Sequence, residues 1–485
     1  MDHSFTTLSA LQTRYGPKYR WLVLLAVMVG TMAGVMSSTV VSVALPAIGQ
    51  RFQLGQADVQ WINTLFMLAM TVSMLTTPWM LRRLGYRRTY VLMMWLLMAG
   101  GILGGFAHHF GLILLARLME GIAAGVIQPI PVIIILRAFE SREQGKASGI
   151  FGMAVVLAPA IGPSVGGLLV EWWSWRAIFW MVVPFCAISI WLANKLIPST
   201  GPGGIIPDSL TFKMDWMGLC LVTLGILGLL TCVVVYQRTS LIGAVGLLST
   251  ACVFLSGFLW RQIKLKERGE MPLILLSLFR NPSYALGCFV TFVYGFALYG
   301  STYLLAVFIQ TGLQLPVSQV GVVFLPAGLV LAITIGLAGT LTGKIPANRL
   351  IYSGQLLMAI SFILMPLMDV EKSLFLLVAL TLFGRFGMGF VAPALNVSAM
   401  SSIENSNIPD AASTINFIRL LGGVVGMFSL GLVLDGSASH TGGGSFFSTN
   451  TFNSAFFLLA GLCVTGFLAA LRMTISSNKN DVVCK

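Results

Sequence analysis

The sequence predicts an all-α integral membrane protein of fourteen transmembrane helices, and three observations carry that prediction. Of the 485 residues, 57% are hydrophobic and only 9% are charged, where a soluble globular chain runs at about 45–50% apolar and about 25% charged. The mean hydropathy is +0.90 over the whole length, which excludes a soluble enzyme, a disordered chain and a disulfide scaffold. The apolar residues come in runs of about 20, the length that crosses a hydrocarbon core as a helix. They do not alternate over segments of roughly ten, as the strands of a transmembrane barrel would.

In chain order the runs are 20–45, 59–81, 89–106, 110–134, 147–170, 175–195, 216–236, 239–260, 284–309, 318–341, 350–368, 374–400, 411–434 and 453–472. The first follows the polar start Met1–Lys18 and is too long for the apolar core of a signal peptide. Charge parts the second run from the third at Arg82 to Arg88, and the fourth from the fifth at Arg137 to Lys146. A Pro- and Gly-rich stretch, 196–215, follows the sixth, and a charged stretch, 261–283, follows the eighth. These two connections bracket the pair 216–260, which divides the chain into a six-helix half at 1–195, an inserted pair with its linkers at 196–283, and a second half at 284–485. A weak internal echo agrees: Arg117-Leu-Met-Glu-Gly121 with Pro129 following, and Arg385-Phe-Gly-Met-Gly389 with Pro393 following, each in the fourth run of its half.

The net charge of +13 would suit a nucleic-acid binder, were the basic residues not confined to short stretches between apolar runs. With both termini inside, the inner stretches hold 22 Lys and Arg and the outer ones only Arg51, Arg176, Arg238 and Lys372. That is the positive-inside pattern, so the expectation is a multi-pass protein of the cell inner membrane with both termini cytoplasmic and no nucleic-acid partner. Six of the seven cysteines lie within apolar runs without metal-ligand spacing and read as packing residues. No metal or cofactor is expected.

Enzyme signatures are missing. There is no His-Glu-x-x-His, no Gly-x-Ser-x-Gly elbow and no phosphate-binding Gly-x-x-x-x-Gly-Lys-Ser/Thr loop. The informative residues are the ionisable ones inside the runs: Arg117, Glu120, Arg385 and Arg419, with Glu120 the only carboxylate placed there. Arg117 and Glu120 are three apart on one helix face and can pair. One reading is a proton carrier tuned by desolvation against the neighbouring arginine; the other is a structural ion pair that makes both residues tolerable in lipid.

Several motifs then resemble one family. Gly162-Pro163 followed by Gly166-Gly167, with Pro159 before them, is similar to the antiporter motif of major facilitator superfamily drug exporters. Arg117 with Glu120 and Gly121 matches the fourth-span arginine motif, and Pro78-Trp-Met-Leu-Arg82-Arg83-Leu-Gly85-Tyr-Arg87-Arg88 matches the basic loop after the second span. Thr39-Val-Val-Ser-Val-Ala-Leu45-Pro46 looks like the end of the first span in the fourteen-span drug:proton antiporters. The resemblance covers nearly the whole chain. It implies the major facilitator fold, two six-helix halves with an extra helix pair between them, and multidrug efflux by alternating access. Its implied partners are a small-molecule cargo, protons and membrane lipid, with room for a periplasmic adaptor and an outer-membrane channel.

Two departures stand out. The subgroup's first-span aspartate is absent from Val35-Met36-Ser37-Ser38-Thr39, and the basic loop has Arg82 where the family has an aspartate thought to latch the loop to a neighbouring helix end. Proton coupling then rests on Glu120 with Arg117. The resemblance places the cargo cavity between the first and fourth helices of each half, where Ser37, Ser38, Gln128, Tyr294, Asn396 and Arg385 are the polar candidates. Phe292, Phe296, Tyr299 and Tyr303 form one stripe of a helix face. A stripe of this kind either holds planar amphiphiles or packs on a neighbour. The function expected is export of amphiphilic organic compounds, with a dedicated exporter of one endogenous metabolite, such as a siderophore, as the alternative. A membrane enzyme or a non-transporting sensor is the reading from a different class.

Overall fold

The computed structural model describes residues 15–198, 213–238, 241–315, 317–342, 344–368, 373–401, 403–438 and 449–483. Most of the linker at 196–215 lies outside them, with Lys372, His440, Cys484 and the side chain of Pro163. The described residues form sixteen α-helices. The first eight are α1 (Tyr19–Phe52), α2 (Gln56–Ser73), α3 (Thr77–Leu84), α4 (Tyr86–Gly105), α5 (Phe110–Ile127), α6 (Ile130–Ala138), α7 (Ser141–Trp172) and α8 (Ala177–Leu196). The others are α9 (Trp216–Arg238), α10 (Leu241–Glu267), α11 (Pro282–Val307), α12 (Val317–Leu341), α13 (Ala347–Leu367), α14 (Leu374–Ser398), α15 (Ile408–Ala438) and α16 (Thr449–Val483).

Every predicted apolar run lies on a helix so far as it is described, and two runs are split. A single turn at Met74–Thr76 joins α2 to α3, and Gln128-Pro129 separates α5 from α6. Among the described residues, 12 helical segments are long and apolar enough to cross a membrane, where the sequence predicts fourteen. The two predicted runs outside that count are those of α7 and α9, in each of which some side chains lie outside the described residues.

Local chemistry sets the ends. Asn281 caps α11 by accepting from the backbone N–H of Ser283 and Tyr284, with Pro282 at the first position where no N–H is needed. Asp215 does the same for α9, accepting from Gly218 N–H at 2.9 Å. Gly85 turns α3 into α4 with φ +79°, a conformation that a side chain would strain. The bundle surface carries large apolar side chains such as Trp95, Ile333, Leu337, Leu367 and Phe375, as expected of helices whose outer faces meet lipid.

α1 lies on α7 and α8, α4 on α5 and α8, and α2 on α5; farther along the chain α11 lies on α15 and α16, and α14 on α12 and α13. α7 also packs along α12, and α15 touches α2, α3 and α6. At the end of the bundle carrying Arg82 and Arg137, Ile130, Ile133 and Ile134 share one buried cluster with Ile408, Ala411 and Ile415. α9 and α10 pair with each other, and α9 leans on α2 and α15.

Candidate functional site

The site begins with glycine. Gly121 and Gly125 let α5 lie against the backbone of α2: a Cβ on Gly121 would stand 2.8 Å from Ala69 Cβ, and one on Gly125 2.9 Å from the Met70 carbonyl carbon. Arg117, one turn earlier, therefore reaches both α1 and α2. Its Nη1 donates to Glu120 Oε2 at 2.7 Å, to Ser37 Oγ at 2.9 Å and to the Ser37 carbonyl at 3.2 Å, and its Nε donates to the Ile62 carbonyl at 3.3 Å. Ser37 Oγ donates to the same Glu120 oxygen at 3.0 Å. The guanidinium lies 4.0 Å from the centroid of the Phe66 ring, and both charged side chains are fully buried.

The pair is not fully satisfied. Among the described residues Glu120 Oε1 and Arg117 Nη2 have no hydrogen-bond partner. The carboxylate faces bare backbone of α4, where a Cβ on Gly100 would stand 2.8 Å from Glu120 Cγ and one on Gly101 3.9 Å from Oε1. The geometry holds one carboxylate oxygen in three-way contact with Arg117 and Ser37 and leaves the other with acceptor capacity, the place where a proton can be taken up. An unpaired charge at the bilayer centre costs roughly 2.5–3.5 kcal/mol on insertion scales, so the ion pair is also what makes each partner tolerable.

Ser37 thus occupies the vacated acid position and touches the pair directly, whereas Ser38 donates to the Val35 carbonyl of its own helix at 2.6 Å. The acid that the resemblance puts on the first helix stands one turn from the arginine on α5 instead. Glu120 is not the only buried carboxylate on a helix: Asp410, one residue before the run at 411–434, lies in the first turn of α15 and is buried.

Asp410 is the partner of Arg82, the residue that stands where the family has its aspartate. Arg82 Nη1 also lies 3.3 Å from Met271 Sδ, in the segment that follows α10. Of the other basic-loop residues, Arg83 stacks on Trp79 at 5.2 Å, Arg87 reaches Asn194 at 3.5 Å, and Arg88 is exposed. Arg137 bridges Tyr86 Oη at 2.8 Å and the Asn405 carbonyl at 2.5 Å, a second polar tie to the start of α15 that the sequence did not reveal. A cavity of about 20 Å³ beside Arg82 and Asp410 is lined also by Trp79, Asp215, Met271 and Pro272.

The antiporter-motif residues sit on α7, which runs unbroken through Pro159 and Pro163. Gly162 and Gly166 face α1: a Cβ on either would come within 2.8 Å of Thr39 Oγ1 or 2.6 Å of Val40 Cγ1 respectively. Gly167 faces a looser space, with Val43 Cγ1 4.0 Å away. The other end of α7 meets α12 glycine to glycine, a Cβ on Gly149 standing 2.7 Å from Gly339 Cα.

The aromatic stripe on α11 packs on α15. Gly422 lies against the Phe292 backbone, Gly423 against the Tyr299 ring, and Gly426 against Phe296. Phe296 is buried, so this part of the stripe is not a free cavity wall. Tyr294 is buried, Tyr303 and Asn396 are half-buried, and Gln128 is buried at the α5–α6 break. Arg385 Nη2 donates to Thr302 Oγ1 at 2.8 Å, which links α14 to α11.

The family model for the Major Facilitator Superfamily matches residues 27–427. The chain belongs to the Major Facilitator Superfamily. It is 27% identical over 423 residues to the multidrug resistance protein Stp of Mycobacterium tuberculosis, across 87% of this chain and 77% of that one. It is 24% identical over 471 residues to the riboflavin transporter RibZ of Clostridioides difficile, across 96% of this chain and 99% of that one. In fold it is similar to the human organic anion transporter MFSD10 (TETRAN), with a TM-score of 0.67 at 17% identity over 93% of this chain and 99% of that one. As a Major Facilitator Superfamily transporter the protein carries a small molecule across a membrane.

Proposed function

We propose that the protein is a secondary active exporter of amphiphilic organic compounds, working by alternating access with protons as the counter-ion. In this reading the chain crosses the inner membrane fourteen times, as two six-helix halves with α9 and α10 between them and both termini cytoplasmic. The observation that carries it is the buried cluster of Arg117, Glu120 and Ser37. A carboxylate at mid-helix with one oxygen unpartnered is a site for a carried proton, and Ser37 links its state to α1, one of the helices expected to line the cavity. Similarity to Stp supports drug efflux. The basic-residue asymmetry of the loops supports the topology.

The test is a resistance and dye-efflux panel in a pump-deficient bacterial host, repeated with a protonophore. Efflux that the protonophore abolishes supports the proposal; efflux that survives it points to another driving ion. A dedicated exporter of one metabolite is the second reading, favoured by near-complete coverage of the riboflavin transporter RibZ. It predicts one transported compound and no resistance phenotype in the same panel.

A further inference from the structure

Among the described residues four arginines have a carboxylate to answer them: Arg20 with Glu143, Arg82 with Asp410, Arg117 with Glu120, and Arg261 with Asp215. Arg385 and Arg419 lie deep in apolar helices and, among the described residues, have no ion-pair partner. Arg385 is buried at the middle of α14 and makes do with the Thr302 hydroxyl at 2.8 Å, Met388 Sδ at 3.5 Å and the Phe324 ring at 5.9 Å. Arg419, half-buried on α15, donates to Asn416 Oδ1 at 2.6 Å. These are neutral acceptors, which hold a guanidinium in place without cancelling its charge.

The two charges lie around one helix. Thr302 of α11 takes Arg385, and Gly295 of α11 brings that helix against the backbone of Arg419. Thr302 and Gly295 are seven residues apart on α11, two turns along one face, and Tyr294 beside Gly295 is buried. Thr302 is exposed, so the Arg385 contact borders an open surface, in contrast to the sealed Arg117 pair. Two uncompensated positive charges in a low-dielectric setting strongly favour an anion and disfavour a cation. Guanidinium groups suit oxyanions because their N–H fork matches a carboxylate or phosphate.

We propose that Arg385 and Arg419 form an anion-recognising wall of the cargo site, so that the preferred cargo is an amphiphile bearing a carboxylate or comparable oxyanion beside its apolar body. The inference rests on the export reading for the existence of an organic cargo, and it narrows the cargo class. A small inorganic anion such as chloride shares the same chemistry and is the other source of negative charge for this pair.

The test uses purified full-length protein in lipid nanodiscs and three fluorescent probes of one body: dansylaminoundecanoate, its primary amide and its trimethylammonium counterpart. The carboxylate is expected to bind at least tenfold more tightly than either analogue. Arg385→Gln and Arg419→Gln should each reduce that preference to threefold or less, and Arg385→Lys should retain part of it. Thermal unfolding of each variant separates lost recognition from lost folding, and the Lys variant gives the reading if a Gln variant fails to fold. Equal binding of the three probes, no binding of the carboxylate, or an undiminished preference in all the variants overturns the proposal. So does a melting temperature that rises with chloride in the wild type and not in Arg385→Gln, combined with equal binding of the probes. The same probes loaded into proteoliposomes test the export reading separately: a preserved carboxylate preference in binding, without outward transport on a proton gradient, overturns export and leaves the anion wall standing.

Discussion

Arg82, near the end of α3, pairs with Asp410, in the first turn of α15, and so ties α3 to α15. An acid at position 82 would itself suit the positive N-terminus of α15. An arginine there would be repelled. Asp410 removes the conflict: it answers the helix dipole and also presents a buried carboxylate to Arg82.

Removing either partner should therefore uncover a charge. Asp410→Asn and Arg82→Gln should each destabilise the protein, and the double-mutant cycle should give a coupling of about 1–3 kcal/mol, below the range for fully buried pairs because Arg82 is partly exposed. Arg82→Asp should be worse than Arg82→Gln, since it sets two acids face to face. Adding Asp410→Asn to Arg82→Asp should recover part of the loss through the helix dipole. Thermal unfolding in detergent measures all four, and a coupling near zero would show that the contact is incidental.

The α9–α10 pair has its own anchor. Asp215 accepts from Arg261 Nε at 2.6 Å and from Gln262 Nε2 at 2.9 Å, and Gln262 Oε1 accepts from Leu273 N–H at 2.6 Å. One carboxylate thus caps α9, holds α10 and, through Gln262, orders the segment that carries Met271 to Arg82. Asp215→Ala should cost about 2–3 kcal/mol, the sum of a lost cap and a stranded arginine. Protease cleavage between α10 and α11 should become faster in the variant. Unchanged cleavage would remove the link from Asp215 to the Met271 segment.

Gly166 and Gly167 separate in the structure although they are adjacent in sequence. Gly166→Leu drives a side chain into Val40 and should abolish efflux while leaving membrane insertion intact, whereas Gly167→Leu has space and should retain more than half of wild-type efflux. Gly149→Val should behave like Gly166→Leu, because it separates α7 from α12 at Gly339. Dye-efflux rates normalised to membrane expression decide this, and equal loss in the first two variants would count against the packing account.

The helices were legible because each must present about 20 apolar residues to lipid, and no folding detail can hide such a run. The Arg117–Glu120 pair was legible from its spacing alone. Asp410 and Asp215 were not, since an acid beside a proline or before a tryptophan carries no sign of the distant arginine that buries it. The sides of the glycines were equally hidden: whether Gly166 or Gly167 meets α1 depends on the rotation of α7, which the apolar pattern of a helix greasy all round does not set. The stripe on α11 was visible as a face, but the glycines of α15 that receive it were needed to say which way it points.

Glu120 decides between coupling and structure. Glu120→Gln keeps an oxygen that can accept from Arg117 and Ser37 but cannot carry the proton, so the variant should fold and exchange cargo down its gradient. It should fail to concentrate cargo against one, and its cargo binding should lack the pH dependence that a proton-carrying Glu120 gives the wild type. The stranded Arg117 charge should lower stability by about 3 kcal/mol, the low end of the cost of breaking a buried pair, because the amide oxygen remains as an acceptor. Arg117→Gln combined with Glu120→Gln removes both charges and should recover that stability without recovering uphill transport. Counterflow and proton-driven uptake in inside-out vesicles, measured beside thermal unfolding for the two single variants and the double, distinguish the accounts. A double variant that pumps normally against a gradient would make the pair purely structural, and coupling would then have to be sought outside α5.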